Sequence, residues 1–333
     1  MLTRRPVGMV DVSCFGSRES TIPEPGPAQA LLRVLCVAVD PAIRGWLNER
    51  GSGYLPPLAL GEPVRSNGVG VVVRTTTEAL PVGALVTTLT GWQEWALACS
   101  DFSDIAKLGT VIPPGISPVE ALTVHGQIAT TSYVGIEVVA KPQAGETMVI
   151  SAAASAVGSL VGQMARRRGA LVIGIVGTEE KRQWVTDELG FEACINYRTD
   201  DIASSLLQLA PKGVDVFFDN VGGEILDTVL RRMAMHGRVI LCGTLATSNS
   251  VEPYRLQHWE RILSRRFSVS GFNAMDHWDR FPEATAAVSQ WIADGSVKYR
   301  AHVLDGLERA PEGLVRLFQG DYLGKLVIKV SEL

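Results

Sequence analysis

The sequence predicts an α/β fold: a doubly wound parallel sheet joined to a β-rich domain. From about residue 121 onward, apolar strand-like runs alternate with stretches of helical periodicity. This alternation is typical of a parallel sheet covered by helices on both faces. Residues 1 to about 120 instead combine short strand-like runs with Pro- and Gly-rich turns, as a compact barrel-like β domain would.

The predicted sheet is organised around residues 147–177, which have the pattern of one βαβ unit. Thr147–Ser151 is a short apolar run, and Ala156–Arg168 has small and apolar residues at helical spacing without proline. The three arginines that end this helix suit the negative end of its dipole, and Gly169 is a typical helix stop. Leu171–Val176 follows as a second buried strand.

The turn between this first strand and its helix consists of small residues, Ala152 to Gly158. Small residues let a pyrophosphate approach the backbone N–H groups at the helix N-terminus. The dinucleotide fingerprint is G-x-G-x-x-G, and here only its third glycine is present, in Ala153-x-Ser155-x-x-Gly158. The turn therefore favours a dinucleotide site, and a plain βα turn of another α/β protein stays the alternative.

The end of the second strand indicates which dinucleotide would bind. NAD-selective sites usually place Asp or Glu there to bind the ribose 2′-OH, whereas this strand ends at Gly177-Thr178. Lys181 and Arg182 lie one turn into the next helix, where a cation suits a 2′-phosphate. This pattern favours NADP(H) over NAD. The same residues also fit a helix capped by Thr178 with a solvated Lys-Arg pair, and both interpretations can hold together.

The remaining elements follow from periodicity and turn signals. The β-rich part has predicted strands at Ala30–Val39, Gly68–Arg74, Ala84–Leu89 and Glu94–Ala98. After the βαβ unit we expect helices at Glu179–Leu189, Asp200–Leu209 (capped by Asp200), Gly222–Met233, Tyr254–Arg266 and His277–Asp294, with strands at Ala193–Tyr197, Val214–Asp219, Arg238–Gly243 and Phe267–Asn273. Strands at Ser296–Leu304 and Leu323–Val330 flank a helix at Ala310–Phe318. The predicted domains are 1–120, 121–295 and a C-terminal return, 296–333.

Composition excludes several classes of protein. The 333-residue chain is 46% hydrophobic and 20% charged. Its net charge of −4 gives no electrostatic reason to expect binding to nucleic acid. No apolar run is long enough to span a membrane, and the N-terminus lacks the apolar region of a signal peptide. The five cysteines are scattered and odd in number, which fits a reducing cytoplasm rather than a disulfide framework.

Zinc chemistry is not expected. A catalytic zinc needs three protein ligands, and no Cys-His pair lies near Cys36 or beside Glu62. A structural zinc needs closely spaced cysteines, whereas Cys99 stands alone. The five histidines are dispersed and predicted to be structural; His125 is the one that could act as a donor or acid near neutral pH.

Five short stretches form a recognisable set. The most specific are VDPAIRG at 39–45 and FDNVGG at 218–223; SGYLPP at 52–57, VKY at 297–299 and GDYLGK at 320–325 add to them. Together they resemble the medium-chain dehydrogenase/reductase superfamily, and within it the zinc-free prostaglandin reductase and leukotriene B4 12-hydroxydehydrogenase family, which includes curcumin-reductase-like enzymes. The resemblance implies a GroES-like β domain beside a Rossmann domain, NADP(H) as cofactor, and a cytoplasmic homodimer. It also implies reduction of the C=C bond of α,β-unsaturated ketones or aldehydes, with hydride transfer to the β-carbon and stabilisation of the enolate by hydrogen-bond donors.

The resemblance assigns residues to the cofactor. The phosphates are expected on Ser155, Ala156, Val157 and Gly158, and the 2′-phosphate on Lys181 and Tyr197. The ribose and nicotinamide are expected against Asn220, Cys242, Gly243 and the residues up to Ser248, against Phe272, Asn273 and Ala274, and beside Tyr322.

The sequence also departs from the family pattern. Ser155 replaces the central glycine of the AAxGAVG turn and could donate its hydroxyl to a phosphate. Ser248 stands where relatives often carry tyrosine, and Tyr322 where they carry asparagine. Tyr54 and Ser248 are the candidate catalytic residues, Tyr54 as a donor to the enolate oxygen or only as a part of the pocket wall. A quinone reductase and a non-catalytic NADPH-binding sensor or structural protein are the alternatives.

Overall fold

The computed structural model describes residues 1–49, 51, 55–101, 104 and 107–332, in two compact units. One unit contains Met1–Thr123 together with Ala301–Leu333, and the other contains Val124–Arg300. The chain thus passes between the units near positions 123 and 300; the domain boundaries drawn from the sequence at 120 and 295 stay predictions.

The N-terminal part of the first unit is rich in strands, as its alternating pattern predicts. Its strands are β1 (Gln29–Ala38), β2 (Gly68–Thr75), β3 (Leu85–Thr88), β4 (Trp95–Cys99) and β5 (Thr110–Val111), and its helices are α1 (Ala42–Trp46) and α2 (Pro118–Thr123). The long strand β1 is almost fully buried and pairs antiparallel with both β2 and β4. Its apolar residues pack with those of β2, β3 and α2 into the core of this part.

The second unit is a six-stranded sheet in which every pairing is parallel. Its strands are β6 (Thr147–Ser151), β7 (Leu171–Val176), β8 (Ala193–Asn196), β9 (Val214–Asp219), β10 (Met233–Leu241) and β11 (Ser268–Gly271). They lie in the order β11-β10-β9-β6-β7-β8. Continuous burial of β6, β7 and β9 is the property expected of parallel strands between helical layers.

The helices of this unit connect the strands. They are α3 (Gly126–Tyr133), α4 (Ala156–Arg167), α5 (Glu179–Gln183), α6 (Ile202–Leu209), α7 (Gly223–Leu230), α8 (Arg261–Arg265) and α9 (Phe281–Ala293). The π-helical segments Val134–Ala140 and Trp184–Glu188 continue α3 and α5, and a 3₁₀ segment, Ala274–Arg280, precedes α9. The mixed α/β architecture confirms the predicted fold class.

Several predicted elements were wrong in extent. The helix expected over 254–266 forms only at Arg261–Arg265, because backbone N–H groups of the preceding residues bind the carboxylate of Asp227 instead of helical carbonyls. The helix expected over 277–294 begins only at Phe281, because His277 has non-helical φ and ψ values of −122° and 40° within the preceding 3₁₀ segment. The cap of α6 is Asp201, whose carboxylate accepts the Ser204 N–H, and not Asp200.

The C-terminal segment completes the sheet of the first unit. The elements here are β12 (Ala301–Asp305), α10 (Ala310–Gln319) and β13 (Lys325–Lys329), and β13 pairs antiparallel with β1. Positions 296–300 were predicted as strand and are not, because the amide of Gln163 takes both backbone polar groups of Lys298. Among the described residues, no helix is long and apolar enough to cross a membrane.

Candidate functional site

The parallel sheet has a point at which the strand order reverses. The chain proceeds from β6 outward through β7 and β8, and then returns to place β9 on the other side of β6. In doubly wound sheets, ligands bind outside the carboxyl ends of the strands at such a switch point. Here those ends carry the turn after Ser151 and the loop after Asp219. The topology therefore places the candidate site at these two loops.

The turn after β6 is tight and positions the N-terminus of α4. Ala152 has a φ of +49°, and its carbonyl oxygen accepts the N–H of Ser155. A Cβ on Gly158 would lie 2.3 Å from that same carbonyl oxygen, so only glycine fits. The side chain of Ser155 caps the helix by accepting the N–H of Gly158 at 3.1 Å.

Capping by Ser155 determines what this turn can offer a ligand. The N–H groups of Ala156 and Val157 are in the first turn of the helix and have no intrahelical acceptor. The hydroxyl proton of Ser155 meets no acceptor among the residues described. Two backbone donors, a hydroxyl donor and the positive end of the helix dipole therefore form a cradle suited to a pyrophosphate.

The end of β7 carries no acidic side chain and is covered by an aromatic ring. The ring of Tyr197 packs over Gly177, and a Cβ at Gly177 would lie 2.7 Å from the phenolic oxygen and 2.9 Å from Cζ. Tyr197 is itself 45% exposed and lies directly after β8. The position at which NAD-selective sites hold a carboxylate is thus occupied by a tyrosine ring.

The two cations predicted beside this strand end differ in their environment. Thr178 caps α5 by accepting the Lys181 N–H, as the sequence predicts. Arg182 is paired with Glu179 at 2.6 Å and Asp200 at 3.3 Å, and these carboxylates raise the pKa of its guanidinium further. Arg182 is therefore engaged within the protein. Lys181 is the residue that the family resemblance assigns to a 2′-phosphate.

A buried polar network shapes the loop after β9. The Ser151 hydroxyl donates to the carboxylate of Asp219 at 2.7 Å and accepts the N–H of Asn220 at 2.8 Å. Asp219 also accepts the N–H groups of Val221 and Gly222, and the Asn220 amide donates to the Ser151 carbonyl oxygen. Burial raises the pKa of Asp219, although its hydrogen bonds from Ser151, Val221 and Gly222 act in the opposite direction. The network fixes Asn220 at the switch point.

The segment after β10 is bound to this loop. Cys242 and Gly243 donate their N–H groups to the carbonyl oxygen of Asp219, and a Cβ on Gly243 would lie 2.8 Å from the carbonyl oxygen of Asn220. Burial raises the pKa of the Cys242 thiol to about 12, so it stays protonated at neutral pH. Ser248 is half-buried, and its hydroxyl donates to the Thr244 carbonyl at 2.8 Å. With its proton engaged there, Ser248 offers a substrate an acceptor rather than a donor.

Phe272, Asn273 and Ala274 follow the edge strand β11. The ring of Phe272 meets that of Phe218 edge-on at 6.2 Å, and Asn273 caps the 3₁₀ segment by accepting the N–H of Met275. Ala274 is buried. The carboxyl ends of β6, β9, β10 and β11 thus bring together the residues predicted from four separate stretches of sequence.

Tyr322 belongs to the other unit. Tyr322 is half-buried, and its pKa is raised by burial and by the nearby carboxylate of Asp40. Asp40 forms an ion pair with Lys325, so the VDPAIRG and GDYLGK stretches are joined. Arg44 is buried and donates to the Gly8 carbonyl at 2.9 Å, and is therefore not a surface cation. Tyr54 lies outside the described residues.

Within the described part of the chain, no group of three or more His, Cys, Asp or Glu side chains is placed to hold a metal ion. His125 lies at the start of α3, is 5% exposed, and has its Nδ1 3.4 Å from the hydroxyl of Ser289.

Comparison with known proteins agrees with this geometry. Residues 1–108 match a family model described as the N-terminal domain of oxidoreductases, and residues 156–290 match one described as zinc-binding dehydrogenase. The NADPH-dependent curcumin reductase of Escherichia coli is 33% identical over 337 residues, covering 99% of this chain and 96% of that protein.

This chain belongs to the medium-chain dehydrogenase/reductase superfamily. The crystal structure of CurA in complex with NADPH from Vibrio vulnificus superposes with a TM-score of 0.92 at 33% identity, covering 100% of this chain and 98% of that one. The NADP⁺-dependent 2-alkenal reductase of Nicotiana tabacum is 32% identical and covers 93% of this chain and 89% of that protein. Within the superfamily, this oxidoreductase is of the curcumin-reductase-like type, as its motifs predict.

Sequence reasoning missed some residues of the site. Ser151 and Asp219 were recognised only as strand ends, and Asp227 was placed only inside a helix. A buried carboxylate directly after an apolar strand is a signal that could have identified Asp219, because such a group requires hydrogen-bond donors nearby. No local signal marks Asp227, whose partners lie about 30 residues further along the chain.

Proposed function

We propose that this protein is an NADPH-dependent reductase of the C=C bond of α,β-unsaturated ketones and aldehydes that works without zinc. The observation that carries the proposal is the switch-point cradle: a serine-capped helix N-terminus next to a strand end, Gly177, that carries no acid and is covered by the Tyr197 ring. The curcumin and 2-alkenal reductases among the relatives support the substrate class. NADP(H), when bound, supplies the hydride that the reaction needs.

The protein's own share of the reaction is binding and orientation. The N–H groups of Ala156 and Val157 and the Ser155 hydroxyl bind the pyrophosphate, and Lys181 and Tyr197 bind the 2′-phosphate. Asn220, fixed by the Ser151–Asp219 network, faces the ribose. Preorganised groups of this kind cost no reorganisation during the reaction.

The walls of the nicotinamide region are formed by two segments of the parallel-sheet unit. These are Cys242–Ser248 and Phe272–Ala274. Reduction places negative charge on the substrate oxygen, and the phenol of Tyr54 is the donor that we assign to it. We assign the N-terminal part of the chain, which contains Tyr54, as a GroES-like domain. A tyrosine hydroxyl keeps its proton at neutral pH and can therefore donate a hydrogen bond that stabilises an enolate.

We further propose that the protein works as a cytoplasmic homodimer. β11 is at the edge of the parallel sheet, and its Val269 is 42% exposed. Leu263 and Trp259, shortly before it, are 82% and 63% exposed. A strand edge beside apolar side chains is a surface that a second copy of the chain would cover. Light scattering coupled to size exclusion tests this: a single species of monomer mass at micromolar concentration contradicts it.

The function is tested by following NADPH oxidation at the nicotinamide absorbance against a panel of enones, enals and quinones. We expect turnover with enones and enals and a clear preference for NADPH over NADH. A preference for quinones would make the protein a quinone reductase instead. Tight NADPH binding without turnover on any member of the panel would identify a non-catalytic binding protein. A chelator control, in which activity persists, tests the expectation that no zinc takes part.

A further inference from the structure

One buried carboxylate holds a distant stretch of chain. Asp227 lies in α7 and is 4% exposed, and its Oδ1 accepts the backbone N–H groups of Gln257 and His258, each at 2.9 Å. Its Oδ2 lies 3.1 Å from Nδ1 of His258 and 3.5 Å from the hydroxyl of Tyr254. Every one of these contacts comes from a stretch of five residues, 254–258.

Asp227 is a residue of α7, but these contacts join it to residues 254–258 and not to its own helix. A carboxylate removed from water is costly unless hydrogen bonds replace the lost hydration, and here backbone N–H groups do so. The same N–H groups would otherwise have no helix to satisfy them, because α8 begins only at Arg261. Asp227 and the stretch therefore depend on each other.

The stretch is part of the long connection between β10 and α8. The near end of this connection, Cys242–Ser248, is bound to the loop after β9 through the carbonyl oxygens of Asp219, Asn220 and Val221. Its far end is bound by Asp227, in the helix that follows the same loop. One β9–α7 unit thus holds both ends of the connection that forms the proposed nicotinamide wall.

We propose that Asp227 is a positioning residue: its carboxylate fixes residues 254–258 and thereby holds the wall Cys242–Ser248 in place for hydride transfer. The part concerning hydride transfer rests on the proposed reductase function. The phosphate-binding groups of α4 and α5 lie on other elements. Loss of Asp227 therefore disturbs the chemical step much more than it disturbs NADPH binding.

Amide hydrogen exchange of the full-length protein without cofactor tests the anchoring directly. In Asp227→Leu we expect the amides of Gln257 and His258 to exchange at least about tenfold faster. Asp227→Asn keeps a carbonyl oxygen for these N–H groups and should return most of the protection. Glu224→Gln, an exposed carboxylate one turn earlier in α7, is the control and should exchange as wild type does. Unchanged exchange in Asp227→Leu overturns the proposal.

Kinetics test the consequence for the reaction. We expect kcat with an enone to fall about tenfold or more in Asp227→Leu, the Kd for NADPH to change less than about threefold, and Asp227→Asn to recover much of kcat. A second pair of variants leaves the helix untouched: Gln257→Pro removes one of the two donors, and Gln257→Ala keeps it. Gln257→Pro should lower kcat and Gln257→Ala should not. This pair tests the positioning role even if Asp227→Leu fails to fold.

Two results separate this inference from the proposed function. Faster exchange at 254–258 with wild-type kcat refutes the positioning of the wall. If wild type turns over no enone or enal, the reductase proposal fails and the catalytic part of this inference fails with it, while the exchange data still decide the anchoring.

Discussion

The hydroxyl of Ser155 has two functions that can be tested separately. It accepts the Gly158 N–H at 3.1 Å, and its own proton is available to a ligand. Replacement by alanine removes both functions, and the backbone of residue 155, with φ −80° and ψ 171°, suits alanine without strain. Loss of a serine cap costs about 1 kcal/mol, whereas glycine at the same position costs only a few tenths. We therefore expect Ser155→Ala to lower the Tm by about 2–4 °C, and Ser155→Gly to leave it nearly unchanged.

Cofactor affinity should follow a different order. A hydrogen bond to a charged group contributes about 1.5–3 kcal/mol, which corresponds to roughly ten- to a hundredfold in Kd. Both variants lack the hydroxyl, so both should bind NADPH more weakly by a factor at the lower end of that range. Fluorescence titration measures the Kd, and thermal unfolding measures the Tm on the same samples.

The control is Ser159→Ala, one turn further along α4, where the hydroxyl donates to the helix's own carbonyl at Ala156. It should not change the Kd for NADPH. Wild-type NADPH affinity in Ser155→Gly would show that the hydroxyl only caps the helix. An unchanged Tm in Ser155→Ala would refute the capping argument itself.

Three further predictions concern the cofactor, the fold and the substrate. Lys181→Ala should weaken the binding of NADPH much more than that of NADH. Arg182→Ala should change this preference little, because the Arg182 guanidinium is already paired with two carboxylates. If titrations with both cofactors show the same change in the two variants, the assignment of Lys181 to the 2′-phosphate is contradicted. In Gly162→Ala a Cβ would lie 1.8 Å from Cζ of Phe191, so overpacking should cost about 1–3 kcal/mol in denaturant unfolding, and a variant as stable as wild type would refute the close packing. Tyr54→Phe should lower kcat more than it raises KM for an enone. A wild-type kcat/KM in this variant would show that Tyr54 only forms part of the pocket wall.

Local patterns were sufficient wherever one segment carried the whole signal. The βαβ unit around Thr147–Val176 was placed nearly to the residue, because apolar runs, a glycine stop and terminal arginines all agree there. The cap at Thr178 was likewise predicted from its own sequence. The motif resemblance extended this to the family, which the comparisons confirm.

Local patterns were misleading where a distant partner satisfied the backbone. Residues 254–260 have helical periodicity, yet the N–H groups of Gln257 and His258 bind Asp227. Residues near Lys298 have strand periodicity, yet the Gln163 amide binds both backbone polar groups of Lys298. A side chain far along the chain competes with regular secondary structure for the same hydrogen bonds, and no local window contains it.

The sequence by itself determined the fold class, the family and the absence of an acid at Gly177, because each is a property of residue types in a fixed local order. Only the tertiary structure decided how these residues work together. It places the Tyr197 ring over Gly177, pairs Arg182 with the carboxylates of Glu179 and Asp200, and directs the hydroxyl proton of Ser248 to the backbone carbonyl of Thr244. These outcomes depend on which strand ends become neighbours, and that follows from the sheet order rather than from the chain order.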